Sequence, residues 1–281
     1  MKAIKTACFC VLSSLPVMSL SSPLYAQETY VDAGNVSVTW KMKGIDETKR
    51  FSNLTFPFTV NSDTLRKSGT YFAQQFYFEG VSDLGYLGLQ PREDKNNNTY
   101  IRGVFSSFID GTTSTDKNCS DGADGGAGVS CGFEFPATYG DEYMFKVSKL
   151  ENNKWSGDVT HRKSGQVIHI GSWTLPDNAG DLVPSGEGFV EYYAFYEPGY
   201  PQFVVPECDQ LAKIDVVFGP VQSTDFGGVV GDISNPYEYN SKECVGTKSG
   251  FEMELKEYHL GTSTGTIDAS GYRIKRGFVS N

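Results

Sequence analysis

The sequence predicts an all-β protein built as an antiparallel sandwich or barrel. Three observations predict it. Apolar and polar residues alternate with a period of two in segment after segment. Clusters of Gly, Asn, Asp and Pro separate those segments, in a chain with 31 glycines. No window repeats apolar residues at three- and four-residue intervals for more than about two helical turns.

The chain opens with MKAIKTACFCVLSSLPVMSLSSPLYAQ: two lysines, an apolar stretch from Ala7 to about Leu20, then small residues ending at Ala26. That is the layout of a secretory signal, cut after Ala26. Cys8 and Cys10 precede the apolar stretch, which does not fit a lipoprotein, and the stretch is shorter than the roughly 20 residues a spanning helix needs. Residues 27–281 are therefore expected as one exported β domain without membrane insertion, periplasmic or secreted. A separate C-terminal subdomain over 206–281 is the alternative.

In NVSVTWKM, Val36, Val38, Trp40 and Met42 share one strand face; in NLTFPFTV, Leu54, Phe56, Phe58 and Val60 do. Pro57 lacks a ladder donor and suggests an edge strand or a bulge. Further strands are expected at TYFAQQFYFEG, LGYLGLQ, TYIRGVFSSF, EYMFKVSKL, KWSGDVTHR, QVIHIGSWTL, FVEYYAFYE, KIDVVFGPV, GFEMELKEYHL and GYRIKRGFV. The segment PREDKNNN reads as a loop. Trp155 and Trp173 are expected near each other in the core, on a hairpin around HRKSGQ, and Trp40 also reads as core.

Four cysteines follow the signal: Cys119, Cys131, Cys208 and Cys244. An even number in an exported chain favours disulfides, with three connectivities open. Pairing near neighbours, Cys119–Cys131 and Cys208–Cys244, closes the shortest loops. No C-x-x-C or H-x-x-x-H pattern points to zinc. A net charge of −10 argues against nucleic acid and against an anionic membrane surface.

Between Asp116 and Phe135 the chain reads DKNCSDGADGGAGVSCGFEF. The G-x-S-x-G match at residues 128–132 lacks the strand-to-helix context of a nucleophile elbow, because FEFPATYG follows as strand and turn. Asp116, Asn118, Asp121 and Asp124 offer hard oxygen ligands that could take Ca2+, although the spacing departs from the EF-hand template. Without a cation the same residues make a disulfide-stapled turn.

The strings TYFAQQFYF, GYLGLQ, GVFSSF, CSDGADGGAGVSC, GDEYMFKVSK, NKWSGDVT and HIGSWTLP occur in one order. From about Thr70 to Pro176 they resemble a family of bacterial secreted or surface domains of unknown function. The resemblance implies a two-sheet, concanavalin-like (lectin-like) jelly roll. It transfers no catalytic residues.

In FVEYYAFYEPGYPQF, Tyr193 and Phe195 share one strand face, Tyr192 and Tyr196 the other, and Tyr200 follows in a turn. One face must be core and the other can be a platform for a sugar ring; the candidates across the two faces and the turn are Tyr192, Tyr193, Tyr196 and Tyr200. Glu191 and Glu197 lie roughly 20 Å apart on an extended strand, too far for a glycosidase pair. Glu79 and Glu134 could meet another carboxylate in space. His161, His169 and His259 are too scattered to indicate a metal or an acid–base system. The expected function is non-catalytic binding of a polysaccharide, glycan or other cell-surface ligand. The rival expectations are a polysaccharide hydrolase or lyase on the same fold, and a periplasmic inhibitor or immunity protein with a protein partner.

Overall fold

A computed structural model describes residues 34–193, 207–239, 243–263 and 265–281. The expected export signal lies outside them. The described chain is antiparallel β throughout, with three short 3-10 turns.

One layer is built on β1 (Asn35–Met42), with β11 (Ser185–Glu191) on one side and β14 (Val229–Ile233) and β15 (Tyr237–Tyr239) on the other. From β11 it continues through β3 (Tyr71–Tyr77), β4 (Leu84–Lys95), β5 (Asn98–Ser107), β7 (Val129–Pro136) and β6 (Cys119–Asp121). The second layer centres on β2 (Asn53–Val60). On one side it carries β8 (Glu142–Lys149), β9 (Lys154–His161) and β10 (Val167–Thr174). On the other come β12 (Ile214–Phe218), β13 (Val221–Ser223), β17 (Gly265–Arg276) and β16 (Glu252–Thr262). β14 pairs with β13 as well as β1 and so joins the layers.

The alternation read from the sequence sets the core. Val36, Val38, Trp40 and Met42 are all buried, and so are Leu54, Phe56, Phe58 and Val60. The layers meet through aromatic contacts: Trp40 lies edge-on to Phe56 at 5.6 Å, and Phe105 stacks on Trp173 at 4.4 Å. Such pairs add about 0.5–1.5 kcal/mol beyond burial. Trp155 and Trp173 are register partners on the expected β9–β10 hairpin. Two antiparallel layers packed face to face are a β-sandwich, as expected.

Two local readings are corrected. β2 is a central strand, not an edge. The Pro57 carbonyl accepts the Gly219 N–H at 2.9 Å, so its donor-less nitrogen faces the same side. There β12 ends opposite Phe58 and β13 begins opposite Thr55, so no ladder bond is lost. The segment PREDKNNN is mostly strand: β4 runs to Lys95, and only Asn96 and Asn97 turn, with φ of 51° and 62°. Asn tolerates this left-handed conformation, which two-residue hairpins require.

Both expected disulfides form, Cys119–Cys131 and Cys208–Cys244. Bridges of this kind are compatible with an exported chain. Among the described residues no helix is long and apolar enough to cross a membrane.

Candidate functional site

The outward face of the first layer carries a groove of about 570 Å³. Strand parity decides which side chains reach it. On β3, β4, β5 and β11 the residues Phe72, Leu89, Ile101, Phe105 and Val190 turn into the core, so their neighbours turn outward. Pairing then aligns those neighbours across the sheet. Glu191 is opposite Tyr71, Gln90 is opposite Arg102, and the Phe72–Leu89 pair sets Tyr71 beside Gln90. Glu191, Tyr71, Gln90 and Arg102 thus form one row along the groove.

A second outward row is small and apolar at its centre. Phe189 is opposite Ala73, Ala73 opposite Gly88, and Gly88 opposite Val104. Ala73, Val104 and Phe189 are buried with Tyr71 in a cluster separate from the main core. A third row brings Tyr86 beside Ser106 and Ser106 beside Ser130, whose hydroxyls lie 2.9 Å apart. Ser130, the serine of the G-x-S-x-G match, is therefore a residue within a strand.

The stapled loop closes one side of the groove. The Cys119–Cys131 bridge ties β6 to β7, and the chain between them folds back through Gly122 N–H to Gly128 C=O at 2.8 Å and Gly126 N–H to Ala123 C=O at 2.8 Å. Ala123 is buried, which brings Asp124 to the groove lining. Gly128 has φ of 93°, and a Cβ there would fall 1.9 Å from the Ser107 carbonyl oxygen, so the loop can press against β5 only with glycine at this place.

The electrostatics single out two carboxyls. Burial in the groove wall pushes Glu191 up to about 7, and the nearby charge of Asp124 adds to the rise. Asp124 stands at the groove mouth with much of its surface exposed; desolvation against the wall raises it from the ordinary carboxylate value. Burial also raises Tyr71 well above the usual phenol value, with Tyr86, Asp124 and Glu191 adding to the shift. Tyr86 is pushed up to about 12, chiefly by burial. Both phenols are neutral donors at any physiological pH. Arg92 Nη2 donates to the Gln90 Oε1 at 2.5 Å. That contact engages the oxygen end of the amide, and its N–H2 group remains a donor.

Of the tyrosines expected to form a platform, Tyr193 lines the groove, and its hydroxyl accepts the Gly69 N–H at 2.9 Å. Tyr192 points elsewhere and packs with Leu211 on the Cys208–Cys244 bridge. Tyr196 and Tyr200, like Glu197, lie outside the described residues. The four oxygen residues proposed for Ca2+ do not converge. Asp116 accepts from His169 Nε2 at 2.7 Å, Ser172 Oγ at 3.0 Å and the Asn118 N–H at 3.0 Å. Asn118 Nδ2 reaches the His169 carbonyl, Asp121 is exposed, and Asp124 belongs to the groove. Among the described residues no group of three or more His, Cys, Asp or Glu is placed to hold a metal ion.

The histidines are hydrogen-bonded at the surface: His161 to Asp141 and Ser164, His169 to Asp116 and Asp158, His259 to Asp268. Glu134 is held by Lys95 and Arg92, and Glu79 by Arg50, so among the described residues each is matched by a cation. The pairing that sequence reasoning missed is Glu191 with Asp124. Its one sequence signal is an acidic residue directly after the apolar pair Phe189-Val190, in phase with Phe189.

No protein-family model matches the chain, and no curated protein matches it. Among solved structures, scytalido-glutamic peptidase with a transition-state analogue inhibitor is similar at 12% identity and a TM-score of 0.46, over 88% of this chain and 100% of that one. The same peptidase with a peptide-based analogue gives 12%, 0.45, 88% and 100%. SCP-B, a member of the Eqolisin family of peptidases, in complex with the tripeptide Ala-Ile-His gives 11%, 0.41, 89% and 100%. Likeness at this level assigns no activity to the chain.

The expected non-catalytic carbohydrate binder is nonetheless corrected. The two described tyrosines of the expected platform pack into different clusters. The jelly-roll resemblance of residues 70–176 likewise gains no family assignment.

Proposed function

We propose that the groove is the active site of an exported peptide hydrolase that works with two carboxyls. The observation that supports this reading is Glu191, raised to about 7 by burial, lining the same groove as Asp124 and Gln90, whose amide oxygen is engaged by Arg92. Catalytic groups are found where burial and a like charge tune a carboxyl in a cleft.

In this reading ionised Asp124 takes a proton from a water that attacks the scissile carbonyl carbon. The Gln90 amide donates to the oxyanion that forms. Neutral Glu191 gives its proton to the amide nitrogen, and the C–N bond breaks. Solvent returns each carboxyl to its starting state. The donors favour acyl chemistry over glycoside cleavage. Gln90 N–H2, the Tyr71 hydroxyl and the Arg102 guanidinium suit developing negative charge, whereas a glycosyl transition state develops positive charge. Export through a signal ending at Ala26 is part of the proposal, and the two disulfides support an oxidising compartment.

The test is cleavage of quenched fluorescent peptide libraries between pH 3 and 9. Activity should fall on the alkaline side as pH passes about 7, where Glu191 loses its proton. Glu191→Gln and Asp124→Asn should each lose about 100-fold or more. Absence of peptide cleavage at every pH, or wild-type rates in both variants, would overturn the reading.

A further inference from the structure

The groove also holds a basic residue whose chemistry the two carboxyls do not use. Arg102 lines the groove, half-buried, and among the described residues its guanidinium makes no hydrogen bond or ion pair. It lies flat over Gly132: a Cβ there would fall 2.3 Å from Arg102 Nη2 and 2.7 Å from Cζ. Glycine at this place gives the guanidinium its seat. Nearby Glu134, its register partner, is already bound to Lys95 and Arg92.

Tyr71 supplies the second, independent observation. It is 5% exposed, and its hydroxyl has no hydrogen-bond partner among the described residues. A buried hydroxyl without a partner costs about 1–3 kcal/mol, so native structures retain few of them. Tyr71 lines the groove, one strand from Gln90, with Arg102 one strand beyond. Arg102 is drawn to anions, and Tyr71, neutral throughout, can only offer a proton to one.

We infer that Tyr71 and Arg102 together form a carboxylate receptor in the groove, selecting peptides that carry an acidic side chain or a free C-terminus beside the scissile bond. A carboxylate fits both observations. Its two oxygens match the planar guanidinium fork, and its remaining lone pairs accept the phenol proton. Ionised Asp124 repels the same group, so the carboxylate is drawn to the Arg102 side of Tyr71. The inference deepens the peptidase reading and rests on it for the word substrate; the receptor itself is testable without catalysis.

Binding is measured by calorimetry on the full chain carrying Glu191→Gln, which removes turnover. Four matched peptides are used: an internal Glu or Gln, each with a C-terminal acid or amide. The Glu/Gln arm reads a side-chain carboxylate, and the acid/amide arm reads a terminal one. At least one arm should show tenfold or tighter binding of the carboxylate form. Arg102→Met should abolish that preference, and Arg102→Lys should restore part of it. Tyr71→Phe should weaken it several-fold without lowering the melting temperature, because the lost hydroxyl had no protein partner. A purely structural Tyr71 would show the reverse: destabilisation with selectivity kept. Equal binding of all four peptides, or a preference that survives Arg102→Met, overturns the receptor. Selective binding with no cleavage by the wild-type chain leaves the receptor standing and sinks the hydrolase. Cleavage without carboxylate preference does the opposite.

Discussion

Glu191 carries a stability consequence separate from its chemistry. Its carboxyl is raised from 4.5 to about 7, first by burial and then by Asp124. Between those two values the folded chain binds the proton more tightly than the unfolded chain does. Stability therefore falls as pH rises through that window, by as much as about 3 kcal/mol and less where water reaches the groove. Glu191→Gln removes the penalty. The variant should melt at the wild-type temperature at pH 4 and at a higher one at pH 8; equal melting at both would show that Glu191 is not held neutral. This residue was half legible in the sequence. Alternation predicts the strand and the face Glu191 shares with Tyr193, but not which face is core, and its partner lies on a loop far away in the chain. Only the pairing of β11, β3, β4, β5 and β7 brings Asp124 near it.

The stapled loop between β6 and β7 shows how composition can be read correctly and its purpose missed. Glycines, acidic residues and flanking cysteines predict a closed turn, and the turn forms. What sequence cannot supply is the direction in which Asp124 points, which depends on Gly128 pressed against the Ser107 carbonyl. Replacing Cys119 and Cys131 together by Ala should cost about 3 kcal/mol, the loop-closure value for a bridge of this length. It should also lower the apparent pKa of Glu191, because an untethered Asp124 no longer adds its charge. Denaturant midpoints and a carbon-13 titration of the Glu191 carboxyl read the two effects. An unchanged midpoint together with an unchanged pKa would mean that the bridge does not hold the loop on the groove. The same limit explains the missed strands. β13, β14 and β15 have three to five residues each, too few for a period to declare itself, and they are strands because β1 and β2 offer them edges.

Across the whole molecule the shifted groups combine into one pH preference. His169 loses some basicity to burial, but its bonds to Asp116 and Asp158 outweigh that and raise it above 6.5. Its contribution is complete below 6.5 and is lost as pH rises through the raised value. Glu191 acts in the same direction. Asp116 and Asp215 act oppositely: burial opposes their charge, yet their hydrogen-bond partners hold them below 3.8, and their contribution is lost only in strong acid. The excess of acidic residues adds repulsion as pH rises. Thermal unfolding should therefore peak between about pH 4.5 and 6.5 and decline by pH 8.5. A maximum at or above pH 8 would contradict the balance. Sandwich architecture itself was readable, since period-two alternation leaves few other ways to bury so many aromatics. The order of strands was not, because nothing in NVSVTWKM names its neighbours.

One such neighbour matters for how the protein is made. Trp40 pairs with Ile233, so the first strand waits for nearly the whole chain before its second side is covered. An apolar ribbon left half-dressed for so long invites wrong partners during synthesis. The late arrival of β14 acts as a clasp that can shut only once the chain has been made through Ile233, about four-fifths of the 281 residues.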